Sequence, residues 1–288
     1  MKAIYLIALM SAATTNPIGP LEEDVQNVEQ RRPLTDKNFG NLHVYVQHAA
    51  AAYCNVGKRT GDLIKCKGSC PGIKSDRVTI SASFLGSWTG IGGYVALDHA
   101  RREIVLVFRG NNNIRNFITD ILFVWQDCDL VHECKVHSGF AKAWEEISDA
   151  ATRAISVARC SHRKYKIVIT GHSLGGAVAT LAFAYLRRRG FAADLYTFGA
   201  PRVGNDHFSN WMTSRPGGQW RVTHRNDPIP PSASHLRRYR HISPEYLLTG
   251  SFIWKNDSLV DEVRRCGGIA NTACNGGTFG LNLISHLH

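Results

Sequence analysis

Apolar and polar positions alternate along this chain in blocks whose period changes. "YVAL" at 94–97 and "IVLVF" at 104–108 are nearly unbroken apolar runs flanking the polar "DHARRE", which predicts two strands joined by a turn. From Ser138 to Ala158 the apolar residues Phe140, Trp144, Ile147, Ala151 and Ile155 recur every three or four positions, the period of an amphipathic helix. The same reading predicts a strand over Lys166 to Thr170, a helix over Leu174 to Arg188 and a strand over Asp194 to Phe198. A short helix near His207 to Thr213 and a strand over Trp220 to His224 follow. Strands that are apolar throughout, alternating with helices, predict a central, mostly parallel sheet covered on both faces. No glycine- or proline-rich linker divides residues 33–288, so a single α/β domain is expected there.

The N-terminus breaks this pattern. Lys2, the short apolar run Ala3 to Met10 and the small residues Ser11-Ala12-Ala13 predict a signal peptide over 1–13, since the run is too short to span a bilayer. The polar "LEEDVQNVEQRR" then ends in the dibasic pair Arg31-Arg32, and we read 14–32 as a pro-segment cleaved after Arg32; a flexible arm is the alternative. Removing residues 1–32 takes away three basic and four acidic residues and raises the net charge from +11 to roughly +12. The basic clusters, Arg187-Arg188-Arg189 and "LRRYRH" at 236–241, sit in no nucleic-acid-binding module, so they read as solvated surface.

An exported chain with eight cysteines is expected to form disulfides, and three local pairs suggest themselves: Cys66 with Cys70, Cys128 with Cys134 and Cys266 with Cys274. None has CxxC spacing, so no metal is expected. Cys54 and Cys160 are left over, and their pairing with each other stays open. Asn256-Asp257-Ser258 is an N-glycosylation sequon.

Gly171-His172-Ser173-Leu174-Gly175 matches G-x-S-x-G between a predicted strand and a predicted helix. In that setting the serine stands on a strained turn with its hydroxyl presented at a helix N-terminus, where unpaired amides can stabilise an oxyanion. A serine needs a histidine to take its proton and an acid to orient that histidine. His172 is a poor choice of base because neighbouring side chains diverge. Among downstream acids Asp194 heads a strand, Asp206 opens a helix where N-capping is the plain explanation, and Asp227 follows a strand in a turn-forming "NDP". Of the histidines beyond it, His235 and His241 lie in a basic loop that reads as surface, and the residues alone do not separate His286 from His288.

Taken together, "VFRGNNNIRNFITDI", "TGHSLGGAVAT", "TFGAPRVGN", "THRNDPIPP", "HISPEY" and "ISHLH" resemble the filamentous-fungal triacylglycerol lipases, the class 3 lipase family, from about Phe39 to the last residue. The resemblance implies an α/β-hydrolase fold with Ser173 as nucleophile, Asp227 as orienting acid and His286 as general base. It implies an oxyanion hole made by the backbone N–H groups of Leu174 and Asn111, where family members often carry serine or threonine at the position of Asn111. It also implies that Cys54 bonds a cysteine near the C-terminus, which this sequence does not contain, and so suggests that the sequence is truncated at its end.

In "IRNFITDILF", Ile114, Phe117, Ile118 and Ile121 share one helical face, with Arg115, Asn116, Thr119 and Asp120 opposite. By its place after the oxyanion loop, together with the resemblance, this segment is expected to be a lid that closes over the nucleophile and turns outward at a lipid–water interface. A helix packed permanently on the core is the plainer reading. The expected protein is a secreted, monomeric serine lipase acting on acylglycerols, with no cofactor, no nucleic acid and no transmembrane anchor. A feruloyl or other soluble-ester esterase, a phospholipase A1 and a non-catalytic lipid-binding protein are the alternatives.

Overall fold

The computed structural model describes residues 29–30, 36–66, 68–111, 124–231, 238–249 and 263–277. The expected signal peptide, the sequon, His235, His286, His288 and the whole lid face lie outside these residues. So does all of the expected pro-segment except Glu29–Gln30.

The predicted strands and helices are present, most extended by a residue or more. β2 (Thr79–Leu85), β3 (Gly92–Asp98) and β4 (Glu103–Phe108) are followed by a small ribbon, β5 (Trp125–Asp127) and β6 (Lys135–His137). Next come the helix Ser138–Ser161, β7 (Lys166–His172), the helix Leu174–Arg188, β8 (Ala193–Phe198), the helix Asp206–Thr213 and β9 (Gln219–His224). Counting the helices Asp36–Asn55 and Pro71–Ser75 as α1 and α2, these three become α3, α4 and α5. The chain adds β10 (Glu245–Leu248) and β11 (Val263–Cys266), and β1 (Glu29–Gln30) joins the outer side of β11.

The main sheet runs β1-β11-β10-β9-β8-β7-β4-β3-β2. Its centre, β4 through β10, is parallel, and both margins are antiparallel. The reason lies in the side-chain alternation. Along β4, Ile104, Leu106 and Phe108 enter the core shared with α3 and α4, while Val105 and Val107 enter the core on the opposite face, against α1. A strand buried on both faces has no polar side, which is why these segments are uniformly apolar. The core-facing positions of α3 include Phe140, Trp144, Ile147, Ala151 and Ile155, the five residues of the predicted stripe.

The three predicted disulfides form, at Cys66–Cys70, Cys128–Cys134 and Cys266–Cys274. Cys54 and Cys160 are exposed thiols and do not pair with each other. No helix among the described residues is long and apolar enough to cross a membrane.

Phe108 closes β4 with its ring between Phe84 (centroids 5.9 Å apart) and Trp144 (6.3 Å, edge-on). Phe108→Ala leaves a cavity under the strand end that carries the site. It is expected to cost about 3–5 kcal/mol in denaturant unfolding.

Candidate active site

Ser173 joins β7 to α4 with φ 57° and ψ −127°, a conformation that side chains other than glycine's rarely adopt. Such strain costs on the order of 1–3 kcal/mol and persists only where the surroundings impose it. Here the Ser173 amide donates to the Phe198 carbonyl of the neighbouring strand (2.9 Å), and the amides of Gly176 (2.9 Å) and Ala177 (3.2 Å) donate to the Ser173 carbonyl. The flanking glycines make the turn possible. A Cβ at Gly171 would strike the carbonyl of Gly175, and one at Gly175 would strike the carbonyl of Phe108 at the end of β4. Helix and strand therefore meet backbone to backbone.

The serine is fully buried, and its Oγ has no hydrogen-bond partner among the described residues. Leu174 is the first residue of α4, so its amide has no acceptor within the helix. The stretch Arg109-Gly110-Asn111 runs alongside: a Cβ on Gly110 would stand 3.3 Å from Ser173 Cβ and 2.8 Å from the His172 carbonyl. Of the expected oxyanion residues, Leu174 is next to the serine in sequence and Asn111 is one residue beyond Gly110. His172 is engaged elsewhere, its Nδ1 lying 3.0 Å from the hydroxyl of Tyr53, which burial pushes up to about 12.

Asp227 follows β9 at the same edge of the sheet and is buried. Its amide donates to the His224 carbonyl (3.0 Å), and its Oδ1 accepts from the Ile229 amide (2.9 Å). The competing acids are occupied elsewhere. Asp194 Oδ1 accepts from the Gly218 amide (2.7 Å). Asp206 lies in the first turn of α5, but Asn205 is the residue that caps this helix, accepting from the Phe208 amide (3.0 Å).

The residue reading missed what holds the acid loop. Three buried side chains bind its carbonyls: Asn275 Nδ2 those of Arg225 (2.8 Å) and Asp227 (3.1 Å), Arg202 Nη1 that of Pro231 (2.8 Å), and His241 Nε2 that of Pro230 (2.8 Å). His241 is therefore not the surface histidine its basic neighbours suggested. A carbonyl can only accept, so Nε2 carries the proton. Burial, then the charges of Arg221 and Arg240, push the Arg202 guanidinium down to about 10, leaving it cationic at neutral pH.

Behind Asn275 stands Glu245 on β10, also buried. It accepts from Thr223 Oγ1 (2.6 Å), Arg221 Nη2 (2.8 Å) and the Asn275 amide (3.0 Å). Burial pushes its carboxyl up, but the Arg221 charge and these donors outweigh it and hold the group below the usual carboxylate range. Arg202, His241 and Glu245 all fall within quoted motifs, "TFGAPRVGN" and "HISPEY", so the residues were visible although their task was not.

A parallel-centred sheet covered by helices, with a buried serine on a strained strand-to-helix turn, is the α/β-hydrolase fold. Residues 105–236 match the lipase (class 3) family. The chain is 45% identical, over its whole length and 86% of the relative's, to a secreted mono- and diacylglycerol lipase from Fusarium solani. It is 36% identical to one from Penicillium camembertii, over 76% of this chain and 73% of that one. The crystal structure of a mono- and diacylglycerol lipase from Aspergillus oryzae superposes with a TM-score of 0.81 at 36% identity, covering 88% of this chain and 96% of that one. The chain belongs to the class 3 lipase family, and it is a secreted lipase, a carboxylic ester hydrolase.

Glu245→Gln leaves Arg221 buried without its counter-charge, which is expected to cost about 3–5 kcal/mol. The wild-type carboxylate stabilises the fold above the ordinary glutamate value of about 4.3, and that contribution is lost as pH falls through the lower folded value. Urea unfolding across the acid range is therefore expected to show a wild-type decline that begins below about pH 4 and is weaker in Glu245→Gln.

Proposed function

We propose that this lipase hydrolyses acylglycerols at a lipid–water interface through a Ser173–His286–Asp227 triad and an acyl-enzyme. The observation that carries this reading is Ser173 itself: a buried, strained serine walled by glycines, beside two stretches of backbone able to donate to an oxyanion. Asp227, buried at the same sheet edge in a loop clamped through its carbonyls, suits an acid that must orient a histidine without moving. His286 takes its role from the "ISHLH" motif, and Ile114, Phe117, Ile118 and Ile121 take the lid role from their shared helical face.

In the proposed reaction Ser173 Oγ attacks the ester carbonyl as His286 accepts its proton, and Asp227 stabilises the imidazolium. The amides of Leu174 and Asn111 receive the oxyanion. His286 then protonates the departing glycerol oxygen, and a water attacks the acyl-enzyme by the same route to release the fatty acid. The names of the Fusarium and Penicillium relatives support mono- and diacylglycerols as the first substrates to offer, ahead of triacylglycerols.

Fatty-acid release from emulsified mono-, di- and triacylglycerol, titrated across the substrate's solubility limit, tests this reading. The rate is expected to rise when an interface forms and to fall by on the order of 10⁴-fold or more in Ser173→Ala. Serine-dependent turnover confined to soluble short or aromatic esters would make the protein an esterase. Binding without any turnover would leave a lipid-binding protein.

A further inference from the structure

Trp88 is 92% exposed and Leu85 60%, both large apolar side chains at one end of the β2–β3 hairpin. Their backbone, by contrast, is tightly held. Glu146, reaching up from α3, accepts from the amides of Trp88 (2.8 Å) and Thr89 (3.0 Å) and from the hydroxyls of Thr89 (2.6 Å) and Ser87 (3.3 Å). Arg109 Nη2 donates to the Gly90 carbonyl (2.9 Å), and the Gly86 amide to that of Ile91 (2.8 Å). First the Thr89 hydroxyl and then the Trp88 amide hold the Glu146 carboxyl down at about 2, so the clamp stays ionised through neutral and mildly acidic solution. The turn needs these backbone bonds, but among the described residues nothing requires an indole at its tip. Leaving one in water is unfavourable unless something else receives it.

The strand register shows where that tip stands. Leu85 pairs with Gly92, the adjacent Gly93 with Phe108, and Phe108 with Gly171, two residues before the nucleophile. The hairpin tip and Ser173 therefore leave the sheet over the same edge, three strand spacings or about 14 Å apart. Arg109, which binds the tip, lies two residues before Asn111. Lys58 and Arg59 are exposed on the far side, on a turn tied to β2 through Gly57 N–Ser83 Oγ (2.6 Å) and Thr60 Oγ1–Ser81 O (2.9 Å). The neighbouring acids Glu146 and Asp62 are both bound to backbone amides. An aromatic tip flanked by cations at the mouth of a lipase suits the headgroup zone of a lipid surface, where tryptophan is favoured and basic residues meet anionic groups.

We propose that Leu85 and Trp88 form a fixed insertion point for a lipid surface, separate from the lid expected over 114–121. The inference rests on the interfacial-lipase reading above. Unlike a lid it requires no conformational change, so it would hold the substrate-facing edge against the surface before the site opens.

The test uses the full-length mature protein, Trp88→Ala, Trp88→Phe and Leu85→Ser, with phosphatidylcholine vesicles carrying brominated acyl chains, with and without phosphatidylglycerol. Wild-type fluorescence is expected to be quenched on binding, with the Trp88 contribution missing in both tryptophan variants. Trp88→Ala is expected to partition about tenfold more weakly and to need correspondingly more emulsion surface for half its maximal rate. Turnover of a soluble short-chain ester, which also reports correct folding, is expected to be unchanged. Trp88→Phe should fall between, and Leu85→Ser should show a smaller loss. Partitioning of Trp88→Ala within twofold of an interfacially active wild type would overturn the insertion point and leave the lipase reading standing. A wild type that neither binds vesicles nor hydrolyses emulsions would overturn both. Self-association lost in Trp88→Ala at unchanged vesicle binding would assign the patch to a second copy of the chain and overturn the proposal.

Discussion

The contact on which the rest of the molecule depends is the approach of the α4 backbone to the end of β4, where Gly175 lies against the Phe108 carbonyl. Two main chains meet that closely only where no side chain intervenes. The contact draws α4's first turn down onto the sheet edge and leaves Ser173 no relaxed conformation to adopt. It also sets the Arg109–Asn111 stretch beside the serine, since that stretch continues directly from Phe108. The proposed nucleophile and the candidate oxyanion donors are thus positioned by one packing event in the parallel centre of the sheet.

The other half of the site is positioned differently. Beyond Arg225, whose amide donates to the Leu248 carbonyl of β10 (2.9 Å), the acid loop is held through its carbonyls by side chains from later in the chain, chiefly Asn275 and His241, and by Arg202 from the loop after β8. Glu245 connects Asn275 to β9 through Arg221 and Thr223. A buried ion pair of this kind adds little net stability compared with apolar packing, but it fixes direction, because every lone pair has an assigned donor. An acid proposed to keep a histidine in one orientation has more use for that than for additional stability.

How much of this was legible in the sequence follows from how local each cause is. The central strands and α3–α5 could be read because each is buried along a regular period, and Ser173 because glycine spacing records a close approach. α1 has no counterpart among the predicted elements, the first of which is the strand at 94–97, although its Tyr45, Ala49 and Ala52 are core residues. β10 and β11 are four residues each, too short for a period to register, and β11 is half charged. Asp227 could not be separated from Asp194 and Asp206 by residue type, since all three open or follow regular elements. In the structure Asp194 is bound to the Gly218 amide, and Asn205 rather than Asp206 takes the capping position. The Glu245 network was invisible for a deeper reason: its members come from four segments, and only the fold brings them together.

The disulfides fit the same division between a rigid centre and adjusted margins. Their half-cystines are only four, six and eight residues apart. Loops so short limit the entropic contribution of each bridge to about 2–3 kcal/mol and tie no distant parts of the chain together. Their effect is on local shape. Cys266–Cys274 closes the segment that returns from the edge of the sheet, with Asn271 inside the loop and Asn275 one residue beyond it, and those two amides both donate to Glu245. Reduction of that bridge would act first on the direction of Asn275, and through it on the carbonyl of Asp227, before it acted on the core. Stability and site geometry are therefore separable here: the core under Phe108 sets whether the serine turn exists, and the C-terminal margin sets where the acid stands.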